Sequence, residues 1–129
     1  MLLCLLWLAG GLSAEEILCP STVKVRQVAQ DVPAGWTSAL STVQPHLAGV
    51  TFFDGKPEEE ASLVYDRMTP SRNGMRATWT FAANSHIWLS CNYSGTNVVL
   101  SRALPSVTRC TVLYRKEGTA LDVDRIFCR

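Results

Sequence analysis

Residues 87–93 read IWLSCNY and residues 110–128 read CTVLYRKEGTALDVDRIFC, and these two stretches decide the fold class. In the first, Ile87, Leu89, Cys91 and Tyr93 alternate along the chain. Successive side chains of a strand point to opposite faces, so a period of two marks a strand with one buried face. In the second, residues 110–115 and 123–128 read as two strands joined through Glu117-Gly118-Thr119, a turn sequence. A hairpin centred near Thr119 sets Cys110 opposite Cys128. Directly opposed residues lie roughly 4.5–5.5 Å apart at Cα, within reach of a disulfide.

The same reading extends outward in both directions. Residues 22–28 (TVKVRQV) put Val23 and Val25 on one face and Lys24 and Arg26 on the other, which predicts a half-buried strand. Residues 31–35 hold Pro33 and Gly35 and read as a loop; residues 36–43 fit a strand or a short helical turn. Residues 49–53 predict a strand ending at the turn Asp54-Gly55, and residues 61–66 another short one. Residues 69–75 contain Pro70, Asn73 and Gly74 and predict an exposed loop. Residues 77–81 direct Trp79 and Phe81 to a core, and Asn84-Ser85 separates them from the 86–93 strand. Ser94-Gly95-Thr96 is a turn, residues 98–104 a strand, and Pro105-Ser106 breaks it. The total is about seven or eight strands at spacings of about 8–12 residues, with no amphipathic helix longer than about two turns. The pattern predicts an all-β antiparallel sandwich or small barrel, its later strands running as a meander.

The 129 residues are one domain's worth. Lys and Arg number 12 against 11 Asp and Glu, so no charge imbalance drives binding to nucleic acid or anionic lipid. Charged residues at 18% and hydrophobic residues at 47% make a globular chain.

Residues 1–14 (MLLCLLWLAGGLSA) read as a signal peptide: an apolar run, then Gly10-Gly11 and a small residue at the cleavage position, with no preceding Lys or Arg. The run is too short to span a bilayer, which needs about 20 apolar residues. Cys4 lies inside the run and Cys19 follows Leu18, a poor fit to a lipoprotein site. The mature domain is therefore residues 15–129, periplasmic or secreted and without a membrane anchor. Roughly 115 residues bury a modest core.

Four cysteines remain: Cys19, Cys91, Cys110 and Cys128. An even number behind a signal peptide reads as two disulfides. The spacing offers neither the C-x-x-C of a redox motif nor the close ligand pairs of a zinc site. Of three possible connectivities the strand pattern favours Cys110–Cys128, and Cys91–Cys110 is too long in a meander. That leaves Cys19–Cys91, tying the N-terminal strand down.

The sequence lacks catalytic signatures. It has no G-x-S-x-G, no H-E-x-x-H and no Walker loop. His46 and His86 flank different elements without a matching Asp or Cys motif and read as surface or edge residues. Asp54, Glu58, Glu59 and Glu60 are too clustered for the facing carboxylates of a glycosidase. Asn92-Tyr93-Ser94 matches a glycosylation sequon, too short a match to carry weight. The reading is a non-enzymatic protein with no metal and no cofactor.

One loop suits binding. Phe52-Phe53-Asp54-Gly55-Lys56-Pro57-Glu58-Glu59-Glu60 places two adjacent aromatics on opposite faces of a strand, then a tight, acidic, Pro-stiffened turn. An exposed aromatic with a charged rim is the composition of an interface hot spot. The candidate partner-binding residues are Phe53, Asp54, Lys56, Glu58 and Glu59; the alternative is an ordinary hairpin with both rings covered. Arg67, Arg72 and Arg76 form a second segment able to face an anionic partner or simply solvent.

A family resemblance runs through nearly the whole mature chain. Its motifs are Cys19-Pro20 before Val23-x-Val25-x-Gln27, Gly35-Trp36, Phe52-Phe53-Asp54-Gly55 and Ala61-Ser62-Leu63-Val64. Trp79-x-Phe81, Ile87-Trp88-Leu89-x-Cys91-x-Tyr93 and Leu104-Pro105 follow. Singly they are weak, but in this order they resemble a family of small secreted bacterial proteins of unassigned activity, named after an open reading frame in a Salmonella type VI secretion region. The resemblance carries no catalytic residues. The setting of its namesake implies an immunity protein that shields the periplasm from a cell-wall-degrading toxin. In that case the loop would plug the toxin's active site, with Phe53 as anchor and Asp54, Glu58 and Glu59 pairing with basic groups. Two alternatives stand beside it: a lysozyme inhibitor, although Ser94-Gly95-Thr96-Asn97 only begins like the Ser-Gly-x-x-Tyr of one such family, and a structural envelope protein that binds by strand addition.

Overall fold

A computed structural model describes residues 14–129, so the expected signal peptide lies outside the described residues except for Ala14. Among the described residues nine strands form: β1 (Glu15–Ile17), β2 (Leu47–Asp54), β3 (Ser62–Leu63), β4 (Arg67–Ser71), β5 (Gly74–Thr80), β6 (Ile87–Tyr93), β7 (Val99–Ala103), β8 (Arg109–Glu117) and β9 (Ala120–Cys128). One short 3-10 turn spans Pro57–Glu59, and no α-helix occurs among the described residues. Every pairing is antiparallel. The strands build a five-stranded sheet, β1-β9-β8-β5-β4, and a four-stranded sheet, β3-β2-β6-β7. No helix among the described residues is long and apolar enough to cross a membrane.

The core lies between the sheets and follows the alternation. Ile87, Leu89, Cys91 and Tyr93 are buried on β6; Cys110 and Val112 are buried on β8, and Ile126 and Cys128 on β9. Phe52 is wholly buried, its ring centroid 4.8 Å from Trp79 and 5.7 Å from Phe81. The Phe, Leu, Ile and Val side chains among these each contribute about 1.5–3 kcal/mol on leaving water. The two buried aromatic polar groups are satisfied: Trp79 Nε1–H donates to Leu63 O at 3.0 Å, and Tyr93 Oη–H to Pro20 O at 2.8 Å.

Both disulfides have the favoured connectivity. Cys110 and Cys128 are directly opposed on β8 and β9, 4.1 Å apart at Cα. Cys19–Cys91 joins the segment after β1, in one sheet, to β6 in the other. The staple therefore holds the two sheets together.

Four expectations are corrected. Residues 22–28 are not a strand. Val23 and Val25 are half-buried and Lys24 and Arg26 exposed, as their alternation requires, but pairing stops at a single bridge between Thr22 and His46. Val23 N–H donates to Pro45 O at 3.1 Å, and Pro45 has no N–H with which to extend the ladder. Residues 36–43 form neither strand nor helical turn.

Residues 69–75 are not a loop. They belong to the β4–β5 hairpin, which turns at residues 72 and 73. Pro70 is tolerated because β4 is a sheet edge. Gly74 lies so close to the Tyr114 backbone that a Cβ would collide with its carbonyl. Finally, the later strands do not run as one meander: β6 and β7 pair in one sheet, and the chain then crosses to β8 and β9 in the other.

Candidate functional site: an aromatic row beside an acidic turn

The site begins on β2. Phe52 enters the core, and Phe53, one residue on, must face outward. It is half-buried. In register, Phe53 pairs with Ser62 of β3 and with Trp88 of β6, and Trp88 pairs with Ala103 of β7. A row Ser62, Phe53, Trp88, Ala103 thus crosses the outer face of the four-stranded sheet. The next row is small and polar, with Ser90 Oγ 2.6 Å from Ser101 Oγ. Asn92, the sequon residue, donates its Nδ2–H to Thr51 Oγ1 at 2.9 Å on the same face.

The chain then turns sharply. Asp54 N–H donates to Ala61 O at 3.0 Å, closing the loop, and Gly55 N–H donates to His86 O at 2.7 Å. Asp54 Oδ1 accepts the His86 backbone N–H at 3.2 Å, so this carboxylate ties the turn to the chain entering β6. Gly55 has φ +100, a conformation that favours glycine, and a Cβ there would run into the folded-back Glu59 carboxylate. Pro57 starts the 3-10 turn, and Glu60 ends it in the left-handed region at φ 59. Lys56, Glu58, Glu59 and Glu60 remain exposed. One turn thus gathers Phe53, Asp54, Lys56, Glu58 and Glu59.

Trp88 completes the aromatic row and was missed as a site residue. The signal was present, since the inward alternation of Ile87 and Leu89 points Trp88 outward. A cleft of about 800 Å³ adjoins it, lined by His86, Trp88, Ala103, Pro105 and Val107 among others. His46 and His86 are both exposed.

The arginine segment lies elsewhere. Arg67 and Arg76 belong to β4 and β5 of the other sheet and pair with Thr78 and Thr69, opposite in phase to buried Ala77 and Trp79. They therefore face outward on the far side of the sandwich. The ion pairs among the described residues are made by Arg115 and Arg125. Arg125 grips Glu16 through two bonds of 3.0 and 3.1 Å, and this hydrogen bonding holds the Glu16 carboxyl below its usual range. Chemically the surface offers an aromatic patch, an acidic rim and a cleft. Among the described residues, no cluster of three or more His, Cys, Asp or Glu is placed to hold a metal.

Residues 41–129 match the family model described as type VI secretion system Tli immunity protein. A relative from Azospirillum brasilense, described as an uncharacterized 16.3 kDa protein in the trpG 5′ region, is 29% identical over 126 residues, covering 91% of this chain and 83% of its own length. No solved structure matches.

Proposed function

We propose that this chain, which belongs to the type VI secretion system Tli immunity protein family, neutralises its toxin by covering the toxin's active site with the aromatic row and the acidic turn. Membership makes it an immunity-type protein whose partner is a toxin. The finer reading has three parts. The protein works in the periplasm, supported by its two disulfides, which persist in oxidising compartments, and by the signal-like residues 1–14. Its toxin degrades the cell wall, a substrate that lies in that compartment. Phe53 and Trp88 are the anchors, while Asp54, Lys56, Glu58 and Glu59 form the charged rim.

The observation that carries the mechanism is the juxtaposition of half-buried Phe53 and Trp88 with a turn pinned at Asp54 and Gly55. Such a surface is preorganised, which reduces the entropy cost of binding. The family binds a protein, and a rigid surface with aromatic anchors and a polar rim suits that task.

The test is co-expression with its cognate type VI secretion toxin. Phe53→Ala, Trp88→Ala and a Glu58→Gln/Glu59→Gln double variant should each lose protection while staying folded. Full protection by all three would overturn the mechanism. Murein digestion by the toxin, inhibited by the wild type, checks the substrate class. Hen egg-white lysozyme in a parallel assay checks the alternative inhibitor reading.

A second reading, binding by strand addition, rests on β7. It is exposed along its whole length and, among the described residues, is an edge of its sheet. Val99 and Leu100 lie on it, and it has no proline. The other edges are blunted: β4 carries Pro70, β3 has two residues and β1 three. Ser101→Pro should abolish partner binding on that reading and spare it on the first.

A further inference from the structure

Residues 24–44 form a long loop with a closed base. Thr22 bridges His46, Val23 N–H donates to Pro45 O at 3.1 Å, and Leu47 N–H donates to Ser21 O at 2.8 Å. The base hangs from β6 through the Cys19–Cys91 disulfide and the Tyr93 Oη–Pro20 O bond. Gln27 Nε2–H donates to Gly95 O at 3.2 Å, which ties the outgoing limb to the β6–β7 turn. Beyond Val25, every residue through 44 is exposed. Near the midpoint, Trp36 N–H donates to Pro33 O at 3.1 Å and Gly35 has φ +85, the signature of a type II turn. Trp36 therefore sits at the tip.

The composition of this loop is wrong for a mere connection. Only Lys24, Arg26 and Asp31 are charged. Val28, Trp36, Leu40 and Val43 are 77%, 75%, 61% and 74% exposed. Connections longer than about 12–15 residues without secondary structure are uncommon in compact domains and often functional. Grouped exposed apolar residues mark interaction sites, and tryptophan is enriched at their energetic centres.

We infer that the 24–44 loop is a second toxin-docking element, whose tip inserts the Trp36 indole into an apolar pocket of the toxin. The inference rests on the proposed function, which supplies the toxin as the occupant. Residues 24–40, tip included, precede the 41–129 segment that matches the family model. The loop enters β2 at Leu47 and the acidic turn leaves it at Asp54. Eight residues of strand separate the two elements by about 25 Å, a distance that one interface of ordinary size spans.

The test uses the disulfide-bonded chain and its purified cognate type VI secretion toxin. Trp36→Ala should weaken binding by about 30-fold or more, and Trp36→Phe by much less. Both should melt with the wild type, because the side chain is exposed. Toxin binding should also slow amide exchange across residues 26–44. Trp36→Ala binding as tightly as the wild type would overturn the inference and leave the acidic turn untouched. Wild-type binding to vesicles of phosphatidylethanolamine and phosphatidylglycerol, lost in Trp36→Ala, would overturn it by assigning the tip to a membrane. Failure of the wild type to bind the toxin would sink the proposed function itself.

Discussion

The Trp79 indole of β5 reaches across the sandwich and donates its Nε1–H to the carbonyl of Leu63 on β3, 3.0 Å away. β3 is two residues long and closes the acidic turn onto β2. A tryptophan of one sheet thereby fastens the short edge strand of the other. Phe52 packs on its ring at 4.8 Å, and Tyr65 meets it edge-on at 5.9 Å.

Trp79→Phe keeps an aromatic ring but leaves the Leu63 carbonyl without its donor. We expect a loss of about 1–3 kcal/mol, read from urea unfolding, with faster amide exchange through residues 54–63. An unchanged midpoint would mean that water replaces the indole at no cost.

The two disulfides should differ in their effects. Loop closure across 72 residues is worth about 4 kcal/mol and across 18 residues about 3 kcal/mol in the chain-entropy model. Replacing Cys19 and Cys91 by Ala should lower the melting temperature more than replacing Cys110 and Cys128. It should also loosen residues 20–47, which the other pair leaves in place. Equal melting temperatures would contradict the ordering.

Asp54 is as much a fastener as a charge. Asp54→Ala removes the acceptor for the His86 N–H and should destabilise the fold by about 1 kcal/mol, while Asp54→Asn keeps an acceptor oxygen and should be near neutral. Gly55→Ala should cost about 1–3 kcal/mol through backbone strain at positive φ. Protection lost in Asp54→Ala but kept in Asp54→Asn would show that the residue acts through the shape of the turn.

Docking of β1 should depend on acid pH. The Arg125 hydrogen bond lowers the Glu16 carboxyl below its ordinary 4.5. A depressed folded-state value contributes stability above the unfolded value and loses it as pH falls through the folded one. Exchange of the Glu15–Ile17 amides should therefore accelerate below about pH 4.5, after correction for intrinsic rates. Glu16→Gln should remove that acid-specific step. The effect should shrink in high salt, since both groups are exposed.

Much of the fold was legible because burial is one-sided. The period of two in residues 87–93 and 110–128 marks which side chains enter the core, and the hairpin turn then fixes Cys110 opposite Cys128. Periodicity names a face but not a sheet, so the crossing from β7 to β8 was invisible. Proline misled in both directions. Pro70 resembled a loop marker yet sits in an edge strand, and Pro45, remote in sequence from Val23, ends a ladder that the valine alternation promised. At the site, the outward direction of Phe53 was readable from its neighbour Phe52. Its partnership with Trp88 depended on the β2–β6 register, which no local pattern encodes.

The Cys19–Cys91 bond makes everything between those residues a closed ring, and the exposed 24–44 loop lies within it. Exposed loops are where proteases nick. A cut there opens the ring without dividing the molecule: the pieces stay covalently joined and separate only on reduction. The element most open to attack is thus one whose cleavage releases no fragment, and a nicked molecule keeps its sandwich.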